Sequence, residues 1–398
     1  MDTLRATATV VGPDTLRRAR RAVSAAFFAN GFTIGHWAPK IPVMTERLAV
    51  SESTFGLMIV LFGLGALLAL VAAAVASTRF GSRPVLRWTS LLLTPSLVVL
   101  TFAPTPLTAA LVMLWLGMFL GAMDNAMNAN GVTVEVALAK PVMSSYHGFW
   151  SLGGVVGGLS GGAMIVWLGE FGHSLVVSLI TLAIVVAAWP FFMDDREHPP
   201  EGDAGTRRMA ELPRRPGIYI LGIATMLAFA SEGTVIDWSA LFLKNEQSAP
   251  IVVSGYAFAA FSATMALMRF LGDGLRVQLG DRLTYVSGAV VAAIGLAIAG
   301  MSTSFIVACS GFLIAGLGMA NLVPVLFSAA GRYPGIKPAI GIAVVTTFGY
   351  GGLLFIPALV GLVAEHLSLA TVFVGWGLIV FVLAGLGFIF PGLGRRPR

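Results

Sequence analysis

Residues 194–216, DDREHPPEGDAGTRRMAELPRRP, form the one stretch of this chain that is both long and densely polar. On either side of it apolar residues recur in blocks of about 20, the length that crosses a bilayer core of roughly 30 Å at 1.5 Å per residue. Six blocks precede it, near 20–43, 53–77, 84–103, 106–135, 141–168 and 172–193. Six follow, near 217–243, 251–275, 283–303, 304–330, 338–364 and 369–391. The breaks carry prolines: Pro39 and Pro42, Pro104 and Pro106, Pro141, Pro216, Pro334 and Pro338. The expectation is an all-α membrane protein of twelve transmembrane helices. One six-helix bundle spans 1–193, a cytoplasmic linker 194–216 and a second six-helix bundle 217–398.

Composition supports lipid as the solvent. The 398 residues are 57% hydrophobic and only 11% charged, where a water-soluble chain carries about 25% charge. The 47 glycines are costly in a water-exposed helix but let helix backbones approach closely in lipid. The single cysteine, Cys309, excludes a disulfide framework and a thiolate metal cluster. No H-E-x-x-H or comparable spacing occurs, so neither metal nor cofactor is expected. The net charge of +6 is scattered over short loops, not gathered into a basic stripe with aromatics, so nucleic acid is not expected as a partner. Arg17, Arg18, Arg20 and Arg21 lead into a long apolar stretch with no A-x-A site, which reads as an uncleaved first span.

Orientation follows from the basic residues. With the N-terminus inside, all of the 25 Lys and Arg except Lys40, Arg47 and Lys244 fall on cytoplasmic segments. Both termini are then cytoplasmic, in a bacterial inner membrane. The halves also repeat: Phe80-Gly81-Ser82-Arg83 follows the second block, and Leu279-Gly280-Asp281-Arg282 follows the eighth, 199 residues later. Parallel six-span repeats are one of the known transporter plans.

At these residues the chain resembles the major facilitator superfamily, whose loop after the second span carries a G-x-x-x-D-R-x-G-R-R type motif. Arg79, Gly81 and Arg83 remain, while Ala74 and Thr78 stand where Gly and Asp are usual; Arg269 and Asp273 supply an acidic partner in the second half. The resemblance implies a cytoplasmic gate of Arg79, Arg83, Arg269 and Asp273, degenerate in its first copy. Asp124-Asn125-Ala126-Met127-Asn128 with Glu135, and Glu232-Gly233-Thr234-Val235-Ile236-Asp237-Trp238-Ser239, are similar to the fucose-permease-like branch. That branch includes carriers of a rhizopine, a methylated amino-inositol. The resemblance implies alternating access between two bundles, with no nucleotide site and therefore an ion gradient as the energy source.

The candidate residues are polar groups where lipid should make them costly, about 2.5–3.5 kcal/mol for a charge at mid-membrane. Asp124 and Asn128 stand four apart and Glu135 seven further on, so they share a helix face. One reading is a stripe for solute hydroxyls and a proton; the other is a hydrogen-bonded cluster that glues helices. For Glu135 an ion pair with a loop arginine is an equal alternative. Glu232 and Asp237 point in different directions, one to a cavity and one to a neighbouring helix. Trp238 either stacks on a ring's C–H face or anchors at the interface. Asn30 and His36 lie in the first span, His147 and Trp150 open the fifth. A histidine there either relays a proton or is a satisfied structural group. The glycine run 153–162 reads as a packing seam, since it lacks a G-K-[ST] sequence and follows no strand. By position in the resembled family, Asn321, Phe348 and Tyr350 join the substrate-binding set.

The expected function is proton-coupled movement of a small polar solute (a sugar, polyol or aminocyclitol) by a monomer in the bilayer. The proton-coupling candidates are Asp124, Glu232, Asp237 and His147. A drug or metabolite exporter of the same fold stays open, as does a non-transporting membrane sensor. No nucleophile–base pair suggests an enzyme.

Overall fold

The computed structural model describes residues 12–140, 142–195, 213, 215–390 and 393, the side chains of residues 273, 339 and 353 excepted. Most of the expected linker therefore lies outside the described residues. Those residues are helical throughout their regular structure, with no strand among them. The α-helices are α1 Pro13–Leu48, α2 Glu52–Phe80, α3 Ser82–Leu93, α4 Ser96–Thr101, α5 Pro106–Leu138, α6 Met143–Ala188, α7 Pro216–Asn245, α8 Tyr256–Met301, α9 Phe305–Met319, α10 Leu322–Gly331, α11 Pro338–His366 and α12 Leu369–Leu386.

Local chemistry explains many of these ends. Pro106, Pro216 and Pro338 each stand in the first turn of a helix, where the missing N–H would have no partner anyway. At α5, Thr105 and Thr108 form a reciprocal capping box. At α12, Ser368 accepts from the Thr371 N–H at 2.9 Å. Pro39 and Pro42, expected to close the first span, do not: α1 runs through both to Leu48. A membrane helix tolerates such prolines where its surroundings compensate for the missing N–H groups.

Ten stretches among the described residues are long and apolar enough to cross a membrane. One, Met143–Phe191, contains two helices joined at Gly169, whose φ of 71° and ψ of 170° are open essentially to glycine alone. The α1 helix is not among the ten. Its middle is diluted by Asn30, Thr33, His36 and Lys40, all of them buried. A helix that turns polar groups inward loses apparent hydropathy without losing its place in the bilayer.

The chain divides into two compact units, Met1–Trp37 with Leu61–Thr206, and Ala38–Val60 with Arg207–Arg398. In the first, the glycine run of α6 packs on α1. A Cβ on Gly35 would lie 2.6 Å from the Gly154 carbonyl oxygen, and one on Gly157 would lie 2.6 Å from the Gly35 backbone. In the second, Gly295 and Gly311 bring α8 and α9 together in the same way. The start of α2 belongs to this unit because it lies on α11: Gly56 faces Pro357, and the Glu365 carboxylate accepts from the Ser53 N–H at 2.9 Å.

Candidate functional site

Three helices of the first unit bring polar side chains together, near the middle of α1 and α5 and close to the start of α6. The Trp150 indole N–H of α6 donates to the Asn30 Oδ1 of α1 at 2.9 Å, and the Asn30 amide reaches the Leu120 carbonyl of α5 at 3.4 Å. One turn beyond Leu120 stands Asp124, half-buried, whose Oδ1 accepts from the Asn128 amide at 3.3 Å. Asp124 forms no ion pair among the described residues. Asn30, Trp150, Asp124 and Asn128, chosen from sequence, are thus brought together.

The second unit holds a charged counterpart. Glu232 on α7 and Arg269 on α8 form an ion pair at 3.2 Å, with side chains 16% and 19% exposed. Arg269 had been assigned to a cytoplasmic gate. The structure places it eleven residues before the Gly280 turn, about 16 Å along the helix. Its guanidinium is held by a carboxylate from the neighbouring helix. One turn further along α8, Gly272 lies against the Asn321 side chain. Asn321 occupies the break between α9 and α10, so a backbone discontinuity, an amide and the ion pair share one region. One turn before Glu232, Phe229 stacks with Tyr350 at 6.2 Å and meets Phe327 edge-on at 6.3 Å. Phe348 sits closer to the start of α7, against Gly222 and 6.3 Å from Tyr219.

Other expected residues have different surroundings. His36 is fully buried, and its Nδ1 lies 3.0 Å from the Nε2 of His173, a pairing not foreseen from sequence. With Phe32 edge-on at 4.4 Å, His36 is walled off from solute in this conformation. Trp238 is also fully buried, edge-on to Phe55 at 5.1 Å. His147 lies edge-on to Phe27 at 5.1 Å, and Asp237 is half-buried. Glu135 accepts from the N–H groups of Val142 and Met143 at 2.6 and 2.8 Å. It caps the start of α6, where the helix dipole favours a carboxylate, and pairs with no loop arginine among the described residues.

The two turns of the sequence repeat have the same backbone. Gly81 has φ 83° and ψ 157°, and Gly280 has φ 78° and ψ 159°. After Gly280, the fully buried Asp281 carboxylate bonds Arg276 at 2.9 Å and also Arg332. After Gly81 stands Ser82, whose backbone N–H donates at 2.8 Å to Asp195, and Asn130 bridges the Ser82 hydroxyl and the Met193 carbonyl at 2.9 Å each. Arg83 pairs with Asp194 at 3.5 Å. Arg79 lies 5.1 Å from the centre of the Phe80 ring. The Asp273 side chain lies outside the described residues. Asp195 and His173 were missed because both act through partners far away in the chain. Arg269 was legible in principle, since its distance from the Gly280 turn is a matter of counting.

Long apolar helices with charged side chains paired at mid-span define a multi-pass helical membrane protein. Residues 23–275 match the model of the Major Facilitator Superfamily. The chain is 32% identical over 361 residues to an MFS-type transporter of Yersinia pestis, covering 90% of this chain and 92% of the relative. It is 31% identical to the membrane protein MosC of Rhizobium meliloti, covering 87% of this chain and 84% of that one. Among solved structures, the nucleoside transporter NupG superposes with a TM-score of 0.75 at 13% identity, over 94% of this chain and 100% of that one. A bacterial homologue of the human lysosomal transporter Spinster, inward-facing and occupied, superposes with a TM-score of 0.76 at 14% identity, over 96% and 98%. The chain belongs to the Major Facilitator Superfamily, and it is a membrane transporter.

Proposed function

We propose that this transporter carries a small hydroxylated solute (a sugar, polyol or aminocyclitol such as a rhizopine) by proton-coupled symport. It works by alternating access, with twelve spans, both termini cytoplasmic, in a bacterial inner membrane. The observation that carries the solute class is the Glu232–Arg269 pair. Two opposite charges held midway along their helices, each still partly exposed, offer a carboxylate to an ammonium or hydroxyl and a guanidinium to ring oxygens. Asn321 and the Phe229–Tyr350 stack, a polar amide beside apolar ring faces, suit the same solute.

For the proton we assign Asp124 as first carrier and Glu232 as second. Asp124 has a neutral amide partner, so its gain or loss of a proton leaves no cation stranded. Solute hydroxyls that bond Asn128 or Asn30 would alter the same network and so link binding to protonation. The test is transport by reconstituted protein under an imposed proton gradient. Asp124→Asn and Glu232→Gln should each abolish uphill accumulation while counterflow exchange persists. Accumulation by both variants at the wild-type level would refute the coupling. A thermal-shift screen against sugars, inositols, amines and lipophilic drugs tests the solute; stabilisation by lipophilic cations alone would replace this reading with a drug exporter.

A further inference from the structure

The three arginines around the Gly81 turn have different surroundings. Arg83 reaches Asp194 and the Pro190 carbonyl, each at 3.5 Å. Arg87 donates to the Trp189 carbonyl from Nε at 3.0 Å and from a terminal nitrogen at 2.7 Å. Arg79 is exposed and has no hydrogen bond or ion pair among the described residues. It borders an open groove of about 570 Å³ whose walls include Phe80, Val85, Trp88 and Thr89, within the range of about 300–1,000 Å³ typical of small-ligand clefts.

The surroundings say what would lie there. On α2, Leu68, Val71 and Val75 are 58%, 57% and 61% exposed and recur at helical spacing on the face that ends at Arg79. In a membrane transporter such an apolar strip faces acyl chains. Trp88 is 60% exposed and meets Trp189 edge-on at 6.0 Å; it lies about 9 Å along α3 from the turn. Indole rings prefer the headgroup level of a bilayer. A guanidinium at the foot of a lipid-facing strip, flanked by an interfacial indole, matches a phospholipid with its phosphate on the arginine. Because no carboxylate among the described residues pairs with Arg79, a headgroup with net negative charge complements it better than one that brings its own ammonium.

We propose that this groove is a binding site for an anionic phospholipid, with the phosphate on Arg79, the glycerol region beside Trp88 and an acyl chain along Val85 and the α2 strip. The site is separate from the residues assigned to solute and proton. The test is native mass spectrometry of the purified full-length protein titrated with phosphatidylglycerol or phosphatidylcholine. Wild type should retain phosphatidylglycerol preferentially. Arg79→Gln should lower that retention about fivefold, the loss of one interfacial cation, and Arg79→Lys should largely keep it. Val85→Trp, which fills the groove and leaves Arg79 in place, should also lower it. Unchanged retention in both Arg79→Gln and Val85→Trp would overturn the proposal. So would equal retention of the two lipids, or displacement by glycerol phosphate as readily as by intact lipid.

Discussion

The two units solve the same electrostatic problem with different partners. In the second unit each key carboxylate is met by arginine: Glu232 by Arg269, and Asp281 by Arg276 and Arg332. In the first unit Asp194 pairs with Arg83 at the turn, but two other carboxylates are met by neutral donors. Asp124 has the Asn128 amide, and Asp195 has the Ser82 backbone N–H. The contrast is sharpest at the repeated turn, where Gly81 and Gly280 agree within about 5° in both angles. The backbone is the same while the carboxylate stands on the turn itself in one copy, Asp281, and just past the sixth expected span in the other, Asp195. What persists across the repeat is a carboxylate beside the turn: in the second copy it holds two arginines, in the first it accepts the Ser82 N–H. A helix beginning in a buried turn leaves N–H groups without intrahelical partners, and a carboxylate there satisfies them and the dipole together.

That difference predicts unequal costs. Asp281→Ala should be the most damaging change, since it strands two arginines at a buried site; breaking such a cluster costs about 3–5 kcal/mol. Asp195→Ala removes one charge-assisted bond, worth about 1.5–3 kcal/mol. Thermal unfolding in detergent should therefore rank Asp281→Ala below Asp195→Ala, and equal losses would break the comparison. Next comes the mid-span pair. Glu232→Gln and Arg269→Gln should each destabilise, and the double variant should recover part of the loss, with a coupling of about 1–3 kcal/mol in a double-mutant cycle. Additive losses would mean the two side chains act independently.

The backbone itself offers a finer test. Gly81→Ala and Gly280→Ala should each cost about 1–3 kcal/mol, because both angles lie in a region open essentially to glycine. The two losses should agree closely, since the geometry is shared even though the carboxylates differ. The smallest effect expected is that of Asn130→Ala, which removes the bridge from Ser82 to Met193, at about 1 kcal/mol. Its measurement tells how much of the first turn rests on Asp195 alone.

Much of this was legible in the sequence, for identifiable reasons. Helix starts at Pro106, Pro216 and Pro338 follow from a residue that lacks an N–H and has a preset φ, a purely local property. The Gly81 and Gly280 turns were visible as a repeat. Asp124 and Asn128 on one face follow from spacing alone. By contrast, Pro39 and Pro42 misled because a proline within a membrane helix removes a hydrogen bond without ending the helix, and α1 runs through both. The partners of Trp238 and His36 were not legible, because nothing local tells that their rings will meet Phe55 and His173.

By itself the sequence determined that this chain is a polytopic helical membrane protein, where its apolar runs lie and which polar residues interrupt them. Those properties are set residue by residue through transfer from water to lipid. Only the tertiary structure decided which way each polar group turns and what it meets. Rotation about a helix axis and choice of partner depend on helices far off in the chain: Arg269 is met by Glu232, 37 residues earlier, and Ser82 by Asp195, 113 residues later. A charge that looks prohibitive alone becomes tolerable once its counter-charge arrives on another helix, and no count of single residues contains that pairing.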